Sequence, residues 1–289
     1  MSGLISEVTG IPTRQVIQRL QSERANIGSS VKSAFNHAIK TDGAKRYVYN
    51  SAMERFYQNT DSFLYELAIW NMNGLKQDLG RWCSDWISKK LGSSNVLSIG
   101  DGMGFECLRL KQAGHQVTYF EVPGYSAEFA KRLFQRNNSE VQHLTNPDLI
   151  PSGTFDAMIC LDVLEHVPDP PSFVRMLKAH LRPGGIFIVH APYYMIQANY
   201  PTHVASSRQY SGDTGLYEDA GFRVIDGRPL WNPIVLQAPG GDQFSTSLSG
   251  KLRLALGKPY LMAGRKSARP FRFIHQIKDK HQGWFDQSL

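Results

Sequence analysis

The sequence predicts an α/β fold, a parallel sheet covered by helices on both faces and preceded by an all-helical N-terminal region. Three observations carry this. Residues 1–92 place apolar side chains at three- and four-residue spacings. From residue 95 short apolar runs alternate with amphipathic segments, which is the pattern of right-handed βαβ units. And "VLSIGDGMGF", residues 96–105, is an apolar run that ends abruptly in three glycines, a strand feeding a turn that lets a ligand approach the backbone.

The elements follow in order. Residues 13–40 carry Ile17, Leu20, Ile27, Val31, Phe35 and Ile39 in helical register, with Gly28 as the point of interruption. Residues 46–71 form a second helical region dense in aromatics, with Asp61 placed as N-cap of "SFLYELAIW". In residues 74–92 the residues Leu75, Leu79, Trp82, Trp86 and Ile87 share a face, and two lysines and Gly92 close the helix. Strands are then expected over "NVLSIG", "QVTYFEV", "VQHL", "FDAMICLDV" and "IFIVHAP". Helices are expected over "FECLRLKQAG", "AEFAKRLFQRN" and "PSFVRMLKAHL", with turns at Pro151-Ser152-Gly153 and at "RPGG". "TGLYEDAGFRVIDG" reads as a helix and a strand, and "WNPIVLQA" as a final strand. The chain divides into a cap or lid, 1–92, a core, 93–240, and a basic extension, 241–289.

A chain of 289 residues with 42% hydrophobic and 20% charged residues fits a globular enzyme. No run approaches the roughly 20 apolar residues that span a bilayer, and the first residues lack a secretory pattern. Cys83, Cys107 and Cys160 are far apart and form no CxxC pair, which argues against a disulfide framework or a zinc site and makes the cytoplasm the expected compartment. The net charge of +7 resides in residues 251–289, which hold nine Lys or Arg against two Asp; the remainder balances at 23 of each sign. Such a tail attracts nucleic acid or another anionic partner, or lies along acidic surface of its own domain, or is a solvated extension. No nucleic-acid motif accompanies it, and no membrane partner is expected.

The glycine spacing selects the ligand. Dinucleotide binding asks for G-x-G-x-x-G, but Phe105 stands where the third glycine belongs. Gly100-x-Gly102-x-Gly104 instead resembles the first motif of class I S-adenosylmethionine (SAM) dependent methyltransferases. Glu121 matches the acidic residue that ends the second strand in that family. "FDAMICLDVLEHVPDP" is similar to the fourth motif of the small-molecule branch, with its L-E-H, and "LKAHLRPGGIFIVHAP" to the segment entering the fifth strand. The resemblance spans residues 96–238 and implies a Rossmann-like, seven-stranded, mainly parallel sheet whose last strand is antiparallel. It also implies SAM as cofactor and S-adenosylhomocysteine as product, bound at the carboxyl ends of the strands.

On that basis the cofactor candidates are Gly100, Asp101, Gly102, Gly104, Glu121, Asn146, Leu161 and Asp162. Glu121 can accept hydrogen bonds from both ribose hydroxyls. The family's usual acid is replaced by Ser98, so Asp101 either supplies that acid or serves the turn and the helix start. Asn146 and Asp148 lie where such enzymes contact adenine, or are ordinary polar loop residues beside Pro147, and Leu161 and Asp162 lie where such enzymes wall the sulfonium. Glu165 and His166 either hold local structure or take part in the chemistry.

Methyl transfer to a hydroxyl or ammonium needs positioning and a proton acceptor, for which His is best suited. Residues 190–203 are rich in Tyr and His; His203 is the first candidate base and His190 the second, with Asp162 and Tyr194 beside them. Tyr193 and Tyr200 belong to the same stretch. Among Tyr47, Tyr49, Phe56, Tyr57, Phe63, Tyr65 and Trp70, some pack a helical core and some roof the substrate. No carboxylate cluster indicates a metal. The expected activity is methylation of O or N of a small natural-product or sugar-type acceptor beneath the helical lid. The alternatives are a non-methyl use of SAM that releases methylthioadenosine, an RNA methyltransferase using residues 251–289, and a non-catalytic SAM-binding protein. The oligomeric state stays open, a homodimer included.

Overall fold

Six helices precede the first strand in the computed structural model, which describes residues 1–242, 244–245 and 248–266. They are α1 (Ser2–Thr9), α2 (Thr13–Ala25), α3 (Ser29–Thr41), α4 (Ser51–Asn59), α5 (Ser62–Met72) and α6 (Gly74–Leu91). The break expected at Gly28 is there: Gly28 adopts φ 85° at the start of α3. The Glu23 carboxylate, fully buried, holds the kink by accepting from the Gly28 and Ser30 amides and the Ser29 hydroxyl. Asp61 stands at the N-cap position of α5 but makes no cap bond. Its carboxylate instead pairs with both terminal nitrogens of Arg19, at 2.5 and 3.0 Å, because α2 packs alongside.

The α/β part follows as β1 (Asn95–Ile99), α7 (Phe105–Gln112), β2 (Gln116–Phe120), α8 (Tyr125–Arg136), β3 (Gln142–Leu144), β4 (Phe155–Leu161), α9 (Pro170–Lys178), β5 (Leu181–His190), α10 (Gly215–Glu218), β6 (Arg223–Gly227), β7 (Ile234–Gln237) and α11 (Leu248–Ala263). The seven strands run in the order β3-β2-β1-β4-β5-β7-β6, with β7 antiparallel to both neighbours and every other pairing parallel. The order reverses between β1 and β4, so a crevice opens beyond the carboxyl ends of those two strands.

Both faces of the sheet are buried, and side chains alternate between them. Met158, Cys160, Phe187 and Val189 face α9 and α10. Ala157, Ile159, Ile186 and Ile188 face α6, α7 and α8. Helix α6 thus lies on the sheet through Leu79, Cys83, Trp86 and Ile87, whereas Leu75 is 43% exposed and not part of that face. Helices α1, α2 and α5 share a third core with Met103 of the glycine loop and Phe129 of α8, which fixes the cap over the switch point.

Two local expectations change. "RPGG" is no free turn but the irregular start of β5, with a shift of register against β4 between Phe155 and Ala157. The helix in "TGLYEDAG" has only four residues. In the basic extension, α11 packs on the sheet edge: Arg253 pairs with Asp226 at 3.1 Å and Arg265 with Asp213 at 3.5 Å. Arg269, Arg272, Lys278 and Lys280 lie outside the described residues. Among the described residues no helix is long and apolar enough to cross a membrane.

Candidate active site

A cavity of about 870 Å³ lies beyond the switch point, floored by the strand ends and roofed by α4, α5 and α6. At one end are Gly100, Gly102, Glu121 and Asp162. Gly100 and Gly102 have φ 66° and 63°, the left-handed region that favours glycine. The loop is held from beneath. The Gly102 amide donates to Glu121 Oε2 at 2.8 Å, and the Tyr119 hydroxyl donates to the Gly102 carbonyl at 2.5 Å. Burial pushes the Glu121 carboxyl up to about 7, against the Gly102 and Val122 amides that favour its ionised form.

Four sequence candidates point elsewhere. Asp101 does not line the cavity; its carboxylate accepts from the Glu106 and Cys107 amides at 3.2 and 2.8 Å and so caps α7. The two amides take both its oxygens, the geometry of the helix-start reading. Gly104 also stays off the wall: at φ 81°, a Cβ there would come within 2.7 Å of the Phe134 ring, so it is glycine to let α8 pack close. Asn146 is exposed and accepts from the Asp148 amide, capping the 3-10 turn at Pro147–Leu149. Leu161 is buried in the core that faces α6. Ser98 is buried too and hydrogen-bonds Cys107.

Asp162 is the hub. It has φ 62°, and three side chains from three elements converge on its carboxylate. His190 Nδ1 at the end of β5 lies 2.5 Å from Oδ1, while Trp70 Nε1 of α5 and Lys76 Nζ of α6 donate to Oδ2 at 3.2 and 3.3 Å. Burial opposes the charge on Asp162, but Lys76 and His190 outweigh it and hold the carboxyl well below the usual range. Lys76 is itself buried near Glu106 and Asp101. Its signal in the sequence was nil, since a lysine in an amphipathic helix reads as solvated.

The opposite end is aromatic and histidine-rich. Tyr57 and Phe63 stack at 5.1 Å, and the Tyr57 hydroxyl lies 2.7 Å from His166 Nδ1. His203 packs edge-on against His166 and stacks on Tyr200. Tyr49, Trp70 and Tyr194 also line this cavity, whereas Tyr65 is fully buried in the cap core and Phe56 packs with Phe35. Burial pushes His166 down to about 4, and burial with His166 beside it pushes His203 well below its ordinary value. Both imidazoles are therefore neutral at pH 7. Among the described residues, His203 Nδ1 and Glu165 Oε2 are buried without partners. Glu165, His166 and His203 bring three donor atoms within 4.8 Å of one another, a two-imidazole, one-carboxylate set of the kind a divalent cation accepts. The set has no local signature, because Glu165–His166 and His203 are far apart along the chain. Glu66 of α5 is a further lining residue, and burial with nearby Glu23 pushes it up to about 8.

A family model described as a methyltransferase domain matches residues 74–225, more than half of the chain. Among curated proteins, the ubiquinone biosynthesis O-methyltransferase of Bordetella avium is 33% identical over 108 residues, 35% of this chain and 45% of that protein. The protein of the same name from Psychrobacter cryohalolentis is 25% identical over 166 residues, 53% of this chain and 65% of its own. The chain thus spans about half the length of the curated relatives it matches. Among solved structures, the Burkholderia thailandensis 1,6-didemethyltoxoflavin-N1-methyltransferase, with bound 1,6-didemethyltoxoflavin and S-adenosylhomocysteine, aligns at TM-score 0.45 and 19% identity. That alignment covers 65% of this chain and 88% of the other.

Proposed function

Because the chain belongs to the family of SAM-dependent methyltransferase domains, we propose that it methylates a hydroxyl oxygen of a small aromatic acceptor held beneath the N-terminal helices. The observation that carries this is the continuity of the large cavity. One chamber joins the Gly100–Gly102 loop and Glu121, suited to the donor, to a wall of Tyr49, Tyr57, Phe63 and Tyr200, suited to a flat acceptor. The relatives named as O-methyltransferases support oxygen as the receiving atom. The three unpaired, buried cysteines support the cytoplasm as compartment.

SAM supplies an electrophilic methyl group on a sulfonium. The chain positions the acceptor and removes its proton. His190 is the better placed base: Asp162 at 2.5 Å holds Nδ1, which fixes the tautomer and leaves Nε2 to accept the hydroxyl proton. This reverses the order expected from the sequence, in which His203 came first. His203 and His166 are kept neutral by burial and serve as orienting groups with Tyr57. Tyr194, half-buried on the cavity wall, shapes the acceptor pocket.

The test is incubation of the protein with SAM and a panel of phenols and catechols, read by mass spectrometry. S-adenosylhomocysteine and a methyl ether should form only when an acceptor is present. Methylthioadenosine from SAM alone, or no product with any phenol, would overturn the reading. His190→Ala should lower kcat by about a hundredfold or more with SAM affinity little changed. His203→Ala should act mainly on the acceptor KM.

A further inference from the structure

Helix α11 is docked by specific contacts along one side. A Cβ at Gly257 would meet the Trp231 ring at 2.8 Å, the Trp231 indole donates to the Leu254 carbonyl at 2.9 Å, and the Ser211 hydroxyl donates to the Leu261 carbonyl at 2.6 Å. Arg253 bonds the Gly227 carbonyl and Asp226. These contacts fix the rotation of the helix, and that rotation turns a second apolar stripe outward. Leu248 is 87% exposed, Leu252 60% and Leu256 67%, at successive four-residue spacings. Ala255, Pro259 and Ala263 are exposed as well. A helix apolar on both sides is ordinarily covered on both sides.

Charge identifies what covers it. Lys251 and Lys258 flank the stripe and Lys266 follows its end; all three are exposed, and none forms an ion pair among the described residues. Residues 243–278 contain no Asp or Glu. A second copy of this face would set lysines against lysines, and the following residues 267–278 are basic as well. A nucleic-acid backbone would satisfy the lysines but leave the leucines in water. Leucines reaching an acyl boundary with lysines at the level of acidic headgroups satisfy both.

We propose that the outer face of α11 is a peripheral membrane-binding surface that seats the protein on an anionic lipid bilayer. This goes beyond the methyltransferase reading and does not depend on which acceptor the cavity takes. The interaction is interfacial, since no described helix is long and apolar enough to cross.

The test uses the full chain in co-sedimentation with vesicles of phosphatidylcholine alone or mixed with phosphatidylglycerol. Binding is expected with the anionic vesicles only. Leu252→Gln with Leu256→Gln should weaken it by about tenfold or more, and each of Lys251→Gln and Lys258→Gln by about fivefold. SAM binding by these variants should be unchanged, which separates loss of the surface from loss of the fold. No binding to anionic vesicles, or binding that ignores the leucine substitutions, would overturn the proposal. The second result would leave plain electrostatic attraction by the basic segment; the first would point to an acidic protein as occupant.

Discussion

Replacing Lys76 with Met should cost stability in a pH-dependent way, and the structure sets the size. Lys76 is 7% exposed and bonds Asp162 Oδ2 at 3.3 Å, with Glu106 and Asp101 the next acids around it. Removing one partner of a buried pair typically costs about 3–5 kcal/mol. Asp162 keeps His190 and Trp70 and is 21% exposed on its side chain, so we expect the lower end, about 3 kcal/mol near neutral pH. Burial already pushes Asp101 up to about 6 and Glu106 up to about 7. Without the ammonium both rise further. A carboxyl whose folded pKa lies above its unfolded value loses stability as pH climbs between the two, so the deficit should deepen from about pH 5 to about pH 8. Denaturant unfolding of wild type, Lys76→Met, Asp162→Asn and the double variant at both pH values measures this, and the cycle gives the pair's coupling. A loss under about 1 kcal/mol, or one equal at the two pH values, would refute the reasoning.

Other expectations are simpler. Asp101→Ala should cost about 1–2 kcal/mol in urea unfolding through the lost cap of α7, with SAM affinity of the folded protein changed less than fold stability. Gly104→Ala, at φ 81° and against Phe134, should lower Tm by several degrees, whereas Gly100→Ala, which faces the cavity and crowds Val163, should weaken SAM binding by calorimetry. Glu66→Gln should raise stability at neutral pH. Its carboxyl sits up near 8 in the fold, so ionisation of the unfolded chain above about pH 4.5 costs stability that the amide does not lose; a urea midpoint unchanged at pH 7.5 and 5 would count against it.

Where site and sequence agree, the signal was local. Gly100 and Gly102 close a strand within a few residues, and Glu121 and Asp162 end neighbouring strands, so strand assignment alone brings them together. Asp101, Gly104, Asn146 and Leu161 sit in the same motifs but face away. Motif spacing fixes which loop a residue occupies and says nothing of which way the chain turns within it. Lys76, Trp70, Tyr57 and Glu66 come from helices whose periodicity marks a face without naming its partner.

By itself the sequence determined the order of elements, the parallel sheet and the glycine loop, because hydrophobic period and turn chemistry act over a few residues. The tertiary structure decided the rest. It set the cap over the switch point through the core that Met103 and Phe129 share with α1, α2 and α5. It joined Asp162 to Lys76, Trp70 and His190, and it turned the leucines of α11 outward. Each of these depends on contacts between segments tens of residues apart, whose geometry is set by packing and not by any local preference.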